Sequence, residues 1–372
     1  MILSPYTVFW YLLGRKDLQG SPLLTIKDLE KGDLMAELYQ EDFTRNTLIK
    51  LLMGDDKHWF VKQPRQFDRF RQYSISNEFR IHHFLQGKLS VPQLIHFEEA
   101  SSVLITEHIE VTPLEDTLSS NNKIDIIERQ IPKLLAQFHN VTPKNKLIQN
   151  EWYVLPESNF LLNRGWWTQE LLVWRSAPPS HALAAYLFAN VMLEDTPQKA
   201  LDRLSTKWLN AYIIHNDFRL QNILIDKNNK LYIVDFERAS IGDAYWDLGY
   251  YLASLFFANS KIQISAPYFN ERINNILESY FDERKRELPN LDRTKLLHKV
   301  IQYCGLALLE NMYDEIRRII DKKQRILPFN QDKCVRYALK MLCEPHFFYK
   351  NPFLPMTNAL NTADKSYFVL DQ

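Results

Sequence analysis

Two short apolar runs near the middle of the chain, residues 223 to 226 and 231 to 235, flank the polar turn KNNK at 227 to 230. Asn tolerates the positive φ that tight hairpin turns require, so the pattern predicts an antiparallel β-hairpin. A hairpin centred between the two Asn residues places Asn222 opposite Asp235, with Cβ atoms about 5 Å apart. Carboxylate and amide oxygens suit Mg²⁺, so we expect a magnesium site at this end of the hairpin.

Asp217 precedes Asn222 by five residues, on the loop that leads into the hairpin. There it would face the same cation without binding it, which is the position of a base. The spacing His215-x-Asp217-x-x-x-x-Asn222, followed by Asp235, matches a phosphoryl-transfer pattern. In that pattern the loop Asp takes the acceptor hydroxyl's proton, while the Asn and the second Asp hold metal. Each residue taken singly is more often a turn or cap residue, and only the shared spacing favours catalysis.

Two further charged residues flank this pattern. Arg219 lies two residues after Asp217, where a cation would stabilise charge on the transferring phosphate. An outward-facing loop arginine is the alternative. Glu237 lies two residues after Asp235, on the same side of an extended chain, and could contact a second metal or its water. A solvated surface charge is the alternative for Glu237.

The segments HNDFRLQN (215 to 222) and VDFERASIGDAYWDLG (234 to 249) resemble the aminoglycoside phosphotransferase and choline kinase family. Asn216 stands where that family usually has Gly, and Ala244 where it has Pro. The resemblance implies an α+β, bilobal, protein-kinase-like fold: a small antiparallel-sheet N-lobe with one helix and a larger helical C-lobe carrying the catalytic hairpin. It also implies that His215 and Asp247 brace the catalytic loop.

A kinase-like fold requires an upstream strand Lys for the α- and β-phosphates, and a helix Glu that pairs with it. The strand-like run HWFVKQ supplies Lys62, and the helical run SNEFRIHHFL supplies Glu78, sixteen residues later. Taken alone, such a pair is two ordinary solvated charges. Together with the second motif, it extends the resemblance over residues 35 to 255.

The predicted phosphate loop, residues 40 to 46, contains no glycine, so its backbone is less suited to close approach by phosphate. The resemblance implies side-chain contacts to phosphate there instead, from Thr44, Arg45 and Asn46. The segment VLITEHI resembles the strand that leads into the hinge, so the backbone from Glu107 to Ile109 is expected to bind adenine.

The pattern of short strands followed by helical periodicity predicts two lobes. The first covers residues 1 to 108 and ends in a hinge at about 107 to 112; the second covers 113 to 372. The second lobe would hold a catalytic loop at 213 to 222, a metal-binding hairpin at 222 to 237 and acceptor-binding helices within 256 to 350. Helical periodicity marks 124 to 139, 182 to 193, 196 to 212, 268 to 286, 294 to 322 and 332 to 343.

Composition narrows the class of partner. The chain has 45 Lys plus Arg against 45 Asp plus Glu, so it lacks the excess of positive charge typical of nucleic-acid or anionic-membrane binders. Its three cysteines form no CxxC pair and suit a reducing compartment. The apolar run at residues 6 to 13 is too short to span a bilayer and lacks signal-peptide features, so we expect a cytoplasmic protein.

These observations predict an ATP- and Mg²⁺-dependent phosphotransferase (a kinase) that moves the γ-phosphate to a hydroxyl of a small molecule. One alternative is a kinase acting on Ser or Thr of a natural-product precursor peptide, with a partner lyase. The other is a non-catalytic pseudokinase scaffold. The intact set Lys62, Glu78, Asp217, Asn222 and Asp235 favours catalysis over the scaffold.

Overall fold

The computed structural model describes residues 2–39, 46–54, 57–65, 69–110, 125–142, 194–259, 265–322, 331–349 and 353. Side chains are described in all of these except 69–72, 259, 266, 313–322 and 331–333. Contacts group the chain into two compact units. The first comprises Met1–Pro113 and Asn222–Ala239, and the second comprises Leu114–Gln221 and Ser240–Gln372.

Nine strands and nine α-helices occur in the described residues. The strands are β1 (Leu34–Leu38), β2 (Asn46–Met53), β3 (Lys57–Pro64), β4 (Leu94–Glu98), β5 (Val103–Glu107), β6 (Tyr212–Ile214), β7 (Ile223–Ile225), β8 (Leu231–Ile233) and β9 (Ser240–Gly242). The helices are α1 (Val8–Leu12), α2 (Ile26–Lys31), α3 (Arg69–Leu85), α4 (Ile131–Asn140), α5 (Asp195–Thr206), α6 (Ala244–Asn259), α7 (Ala266–Lys285), α8 (Arg293–Lys322) and α9 (Gln331–Cys343).

The first unit is built on an antiparallel sheet with strand order β1-β2-β3-β5-β4. Successive side chains of a strand point to opposite faces. Val61 on β3 therefore packs with Ile49 and Ile105 against the N-terminal segment, where Val8 and Leu12 of α1 are buried. Lys62, the next residue, points to the opposite face. The predicted antiparallel sheet of short strands is confirmed, and the apolar N-terminal run contains the short helix α1, whose residues Val8, Tyr11 and Leu12 are buried while Trp10 is exposed.

Helix α3 packs against the other face of the sheet. Ile75 forms a buried apolar cluster with Leu94 and Leu104, and the rings of Phe79 and Phe97 stack with centroids 4.2 Å apart. Lys62 is the register partner of Leu104. The alternation of β3 therefore sends the Lys62 side chain toward α3, which is the first requirement for an ion pair with a residue of that helix.

The β7–β8 hairpin forms as predicted, but its register is shifted by one residue. Ile223 pairs with Ile233, and the Val234 N–H donates to the Asn222 carbonyl, so the predicted pairing of Asn222 with Asp235 is wrong. The turn is responsible: the Asp226 carboxylate accepts the N–H groups of Asn228 and Lys230. Only Asn229 takes a positive φ (62°), which gives a three-residue loop instead of two central residues.

The hairpin also differs from the sequence prediction in its neighbours. The Ile233 N–H donates to the Ser90 carbonyl at 3.2 Å, and the hairpin is grouped with the first unit. The sequence assigned it to the second lobe. The lobe boundaries themselves remain predictions.

The second unit is mainly helical, which confirms the predicted α+β class. Helix α6 was missed by the sequence reasoning because residues 244–256 are all buried, and a helix buried on every side has no apolar periodicity. The predicted helix 196 to 212 ends at Thr206 instead, and Tyr212 pairs with Gly242 in the short β6–β9 ladder. The predicted helix 182 to 193 lies outside the described residues.

Among the described residues, no helix combines the length and the apolar character needed to cross a membrane.

Cys304 and Cys334 are buried free thiols, and Cys343 is free and half-buried. Burial raises the pKa of the Cys343 thiol to about 12, and those of Cys304 and Cys334 further still. The thiols therefore stay protonated, as expected for core residues.

Close packing of α6 on α8 depends on Gly249. A Cβ atom at Gly249 would lie 2.7 Å from the Tyr303 Cβ and 2.8 Å from the Cys304 backbone nitrogen. We therefore expect Gly249→Ala to lower the free energy of unfolding by about 1–3 kcal/mol, measured by urea denaturation, although Ala favours helix. The control is Ser254→Ala on the same helix, which loses only a hydroxyl bond to Tyr251 and costs less than about 1.5 kcal/mol. Equal losses in the two variants would contradict this packing.

Candidate active site

Lys62 and Glu78 form a buried ion pair in the first unit. The Lys62 Nζ lies 2.7 Å from the Glu78 Oε2, and the two side chains are 9% and 7% exposed. Residue 62 lies on β3 and residue 78 on α3, the two elements that the sequence assigned to this pair. The predicted contact is therefore present, while its role toward phosphate remains a prediction.

Asp235 and Glu237 reach the same ammonium group from the end of β8. The Lys62 Nζ lies 2.5 Å from the Asp235 Oδ1 and 3.0 Å from the Glu237 Oε2. Between them, Phe236 is fully buried, with its ring 5.7 Å from that of His82 on α3. Anchoring this ring in the core leaves the carboxylates on either side of it to face Lys62. Asp235 adopts a left-handed backbone conformation (φ 67°, ψ 60°) where the chain turns into a 3₁₀ helix.

Asn46, at the start of β2, completes this cluster. Its Nδ2 donates a hydrogen bond to the Glu237 Oε2 at 2.8 Å. The sequence predicted that Asn46 contacts phosphate and did not anticipate this bond, since nothing in the spacing of residues so distant in sequence indicates it. Thr44 and Arg45, the other predicted phosphate ligands, lie outside the described residues.

Three carboxylates share one ammonium in this cluster, so its formal charge is negative. Burial by itself would lower the pKa of Lys62, but the attraction of Asp235, Glu237 and Glu78 raises it well above the usual range. Burial, together with repulsion from Asp235 and Glu237, raises the pKa of Glu78 to about 7, although Lys62 acts in the opposite sense. Lys62 is therefore firmly charged, and Glu78 takes up a proton more readily than an ordinary glutamate does.

The donor set also suits a divalent metal. One oxygen each from Glu78, Asp235 and Glu237 lie within 4.8 Å of one another. Carboxylate oxygens are the hard ligands that Mg²⁺ prefers. Asp235 and Glu237 were predicted as metal ligands, whereas Glu78 was predicted only as the partner of Lys62. Asn222, the other predicted ligand, is buried directly before β7.

The predicted catalytic loop lies in the second unit, where Asp247 holds its backbone. The Asp247 carboxylate accepts the N–H groups of His215 and Asn216 at 2.7 and 2.8 Å. His139 lies 3.1 Å from the same carboxylate through its Nε2. All four residues are fully buried. Asp247 is therefore a brace of this loop, as the resemblance implied.

Asp217 follows the braced residues directly and is almost fully buried. Its Oδ2 lies 3.1 Å from the Nη2 of Arg219, and the Arg219 N–H donates to the Asp217 carbonyl at 3.0 Å. Arg219 thus keeps a positive charge beside the predicted base. Whether it acts on phosphate remains a prediction.

The predicted hinge is described as far as residue 110. The Glu107 N–H donates to the Gln93 carbonyl at 2.8 Å, so the sheet already uses this donor. The Glu107 N–H is therefore not free to bind adenine, and adenine binding by the backbone from Glu107 to Ile109 remains a prediction. Residues 111 and 112 of the predicted hinge lie outside the described residues.

Glu78 gives the first unit a pH-dependent stability. Between its usual pKa of 4.5 and its folded-state pKa of about 7, the folded chain keeps a proton that the unfolded chain has released. With metal removed, the free energy of unfolding is therefore expected to fall as the pH rises through this window. Urea denaturation of the wild type and of Glu78→Gln, at about pH 5 and about pH 7, measures the contribution of Glu78. The exposed control variant Glu99→Gln should lose as much stability between the two pH values as the wild type does. An equal loss in Glu78→Gln would refute the assignment of this pH dependence to Glu78.

Asn216 occupies a backbone position that favours glycine. Its φ is +64°, and within the described part of the chain its buried side-chain amide has no hydrogen-bond partner. Asn216→Gly and Asn216→Ala both remove the amide and differ only in the Cβ atom. We expect the Ala variant to be less stable than the Gly variant by about 1–2 kcal/mol in urea denaturation. Equal stability of the two variants would mean that the left-handed conformation is not retained.

Comparison with known proteins supports the resemblance that the motifs indicated. Residues 46–288 match the phosphotransferase enzyme family (APH). A probable serine/threonine-protein kinase of Enterocytozoon bieneusi, a KIN1 homolog, is 32% identical over 62 residues, which are 17% of this chain. This match spans only 10% of that kinase.

Solved structures of similar fold include two phosphotransferases. The ethanolamine kinase of Plasmodium vivax is 13% identical, over 88% of this chain and 86% of that one, with a TM-score of 0.57. Spectinomycin phosphotransferase APH(9)-Ia, solved with ADP and spectinomycin, is 13% identical over 93% and 99%, with a TM-score of 0.50. The fold is thus protein-kinase-like, and because the matched residues cover more than half of the chain, this protein belongs to the phosphotransferase enzyme family.

Proposed function

We propose that this protein transfers the γ-phosphate of Mg²⁺-bound ATP to a hydroxyl group of a small molecule. The observation that carries the proposal is the cluster in which the buried Lys62 meets Glu78, Asp235 and Glu237. A cluster of this kind offers one cation for phosphate and an excess of carboxylate oxygens for metal. Both are requirements of phosphoryl transfer.

Nucleotide binding is assigned to the first unit. Lys62 would contact the α- and β-phosphates, with Glu78 holding its ammonium in place. Thr44, Arg45 and Asn46 would border the phosphates, and the backbone from Glu107 to Ile109 would hold adenine. The phosphotransferase of similar fold that was solved with ADP supports a purine nucleotide. Because of the 2.8 Å bond from Asn46 to Glu237, the start of β2 would also fix one metal ligand.

Metal binding is assigned to Asp235, Asn222 and Glu237. Bound Mg²⁺ would neutralise the developing charge on the phosphates. Asp235 and Glu237 both contact Lys62 in this structure. Their carboxylates therefore already face the ammonium group that would contact the phosphates. Glu78 stays with Lys62 in this assignment, since its partner is the buried ammonium.

The chemical step is assigned to the loop that Asp247 braces. Asp217 would orient the acceptor hydroxyl and take its proton, and Arg219 would stabilise charge on the transferring phosphoryl group. The bracing bonds at His215 and Asn216 fix the backbone immediately before Asp217. A base held in one position increases the reaction rate more than a mobile base does, because reacting groups must be aligned at contact distance.

The acceptor class follows the proteins of similar fold, whose names specify ethanolamine and spectinomycin. Both are small molecules that carry hydroxyl groups. The precursor-peptide kinase and the pseudokinase scaffold remain as alternative outcomes. A mass-spectrometric screen with Mg²⁺-ATP against amino alcohols, aminoglycosides and Ser/Thr peptides separates all three. A gain of one phosphate on a small molecule supports the proposal, phosphopeptide alone favours the peptide kinase, and no nucleotide binding favours the scaffold.

Asp217→Asn is expected to reduce phosphate transfer about 10²–10⁴-fold, because Asn cannot accept the proton. ATP affinity, measured by calorimetry, should stay close to the wild-type value. The matched control is Asp226→Asn, which makes the same change at the hairpin turn and should retain activity. Wild-type transfer by Asp217→Asn would refute the assigned base.

Asp235→Asn tests the metal assignment separately. Loss of a charged ligand should weaken Mg²⁺-dependent ATP binding about tenfold or more, while binding without metal changes little. Isothermal titration with ATP in Mg²⁺ and in EDTA gives both values. If the two affinities fell equally, Asp235 would not be acting through metal.

A further inference from the structure

A tyrosine of helix α7 reaches the brace of the predicted catalytic loop. The hydroxyl of Tyr280 lies 2.8 Å from the Nδ1 of His139, and both side chains are fully buried. His139 in turn contacts Asp247, which holds the His215 and Asn216 backbone. A continuous line of hydrogen bonds thus runs from α7 to the residues before Asp217, entirely within the second unit.

The direction of each bond follows from the chemistry of the groups. Asp247 already accepts two backbone N–H groups, and an ionised carboxylate only accepts hydrogen bonds. The Nε2 of His139 must therefore carry the hydrogen that faces it. Burial lowers the pKa of His139, so the ring is neutral and its Nδ1 is an acceptor. Tyr280 is thus the donor, and burial raises its pKa well above the usual range, which keeps that hydroxyl protonated.

Because the Tyr280 hydroxyl donates to the Nδ1 of His139, it selects one tautomer of the imidazole ring. A neutral imidazole has two tautomers, and a donor at Nδ1 excludes the one that would present a bare nitrogen to Asp247. The brace must also hold Asn216 at a positive φ, a conformation that persists only where its surroundings fix it. Losing the Tyr280 hydroxyl would leave a buried acceptor on His139 without a partner.

We propose that Tyr280 is a positioning residue for phosphate transfer, holding His139 in the tautomer that orients Asp247 and the backbone before Asp217. The catalytic part of this inference rests on the proposed function. Because α7 belongs to the helices assigned to the acceptor, Tyr280 links that side of the second unit to the assigned base. The ring of Tyr280 packs in the core, so only its hydroxyl performs this task.

The test compares Tyr280→Phe with Tyr251→Phe in the full chain labelled with ¹⁵N-histidine. The Tyr251 hydroxyl donates to the Ile127 carbonyl at 2.8 Å and is equally buried, so this control loses a bond of the same length that is not part of the brace. In the wild type, NMR should find the His139 hydrogen on Nε2. Tyr280→Phe should shift the Nδ1 resonance and speed amide exchange at His215 about tenfold, whereas Tyr251→Phe changes neither.

A second variant keeps the test decisive if Tyr280→Phe loses its fold. His139→Gln preserves a donor for Asp247 but removes the ring acceptor, and should speed His215 exchange to a similar extent. A wild-type hydrogen on Nδ1, or equal exchange in the Tyr280 and Tyr251 variants, would overturn the proposal. These arms need no nucleotide, so they stand even if the chain transfers no phosphate.

Turnover decides the catalytic part. With an acceptor from the screen, Tyr280→Phe should lower kcat about tenfold and leave the KM for ATP within about twofold, because it disturbs alignment and not nucleotide binding. Tyr251→Phe should keep the wild-type kcat. A wild-type kcat in Tyr280→Phe would show that the tyrosine acts only in the core.

Discussion

The first unit depends on one buried ammonium. Lys62 is the only cation among three carboxylates in the described cluster, and these carboxylates come from two elements: Glu78 from α3, and Asp235 and Glu237 from the segment after β8. Removing one partner of a buried ion pair costs about 3–5 kcal/mol, because the other charge is left without compensation. The sheet, α3 and the end of the hairpin are therefore held together at Lys62, the residue that we propose contacts the nucleotide phosphates.

The second unit holds its predicted catalytic loop in place with buried hydrogen bonds to Asp247. Its predicted catalytic loop contains a strained, left-handed Asn216, and strain of this kind persists only when neighbouring groups enforce it. Asp247 enforces it through two backbone bonds, and His139 adds a third donor. Rigid support of this kind is what an aligned base requires, since small displacements of reacting groups are costly.

Local patterns predicted most of the elements. The short strands of the first unit, α3, the hairpin and α7 to α9 were all indicated by strand-like runs or helical spacing. The failures have physical causes. Helix α6 is buried on every side, the helix before β6 ends at Thr206 and Tyr212 pairs with Gly242 instead, and the hairpin register was decided by the Asp226 carboxylate capping its own turn. The first failure is a missing periodic signal, and the other two depend on pairing and turn contacts that the spacing of apolar residues does not reveal.

The sequence alone determined the residue types and spacing of the site. Lys62, Glu78, Asp217 and Asp235 were predicted as site residues because the kinase-like pattern places charged residues of these types in that order along the chain. Only the tertiary structure decided how they are shared. Glu237 and Asn46 meet across a long stretch of sequence, and His139 meets Tyr280 in the core of the second unit. Such pairings depend on how helices and strands pack, because burial forces each polar group to find whichever partner the fold brings within reach.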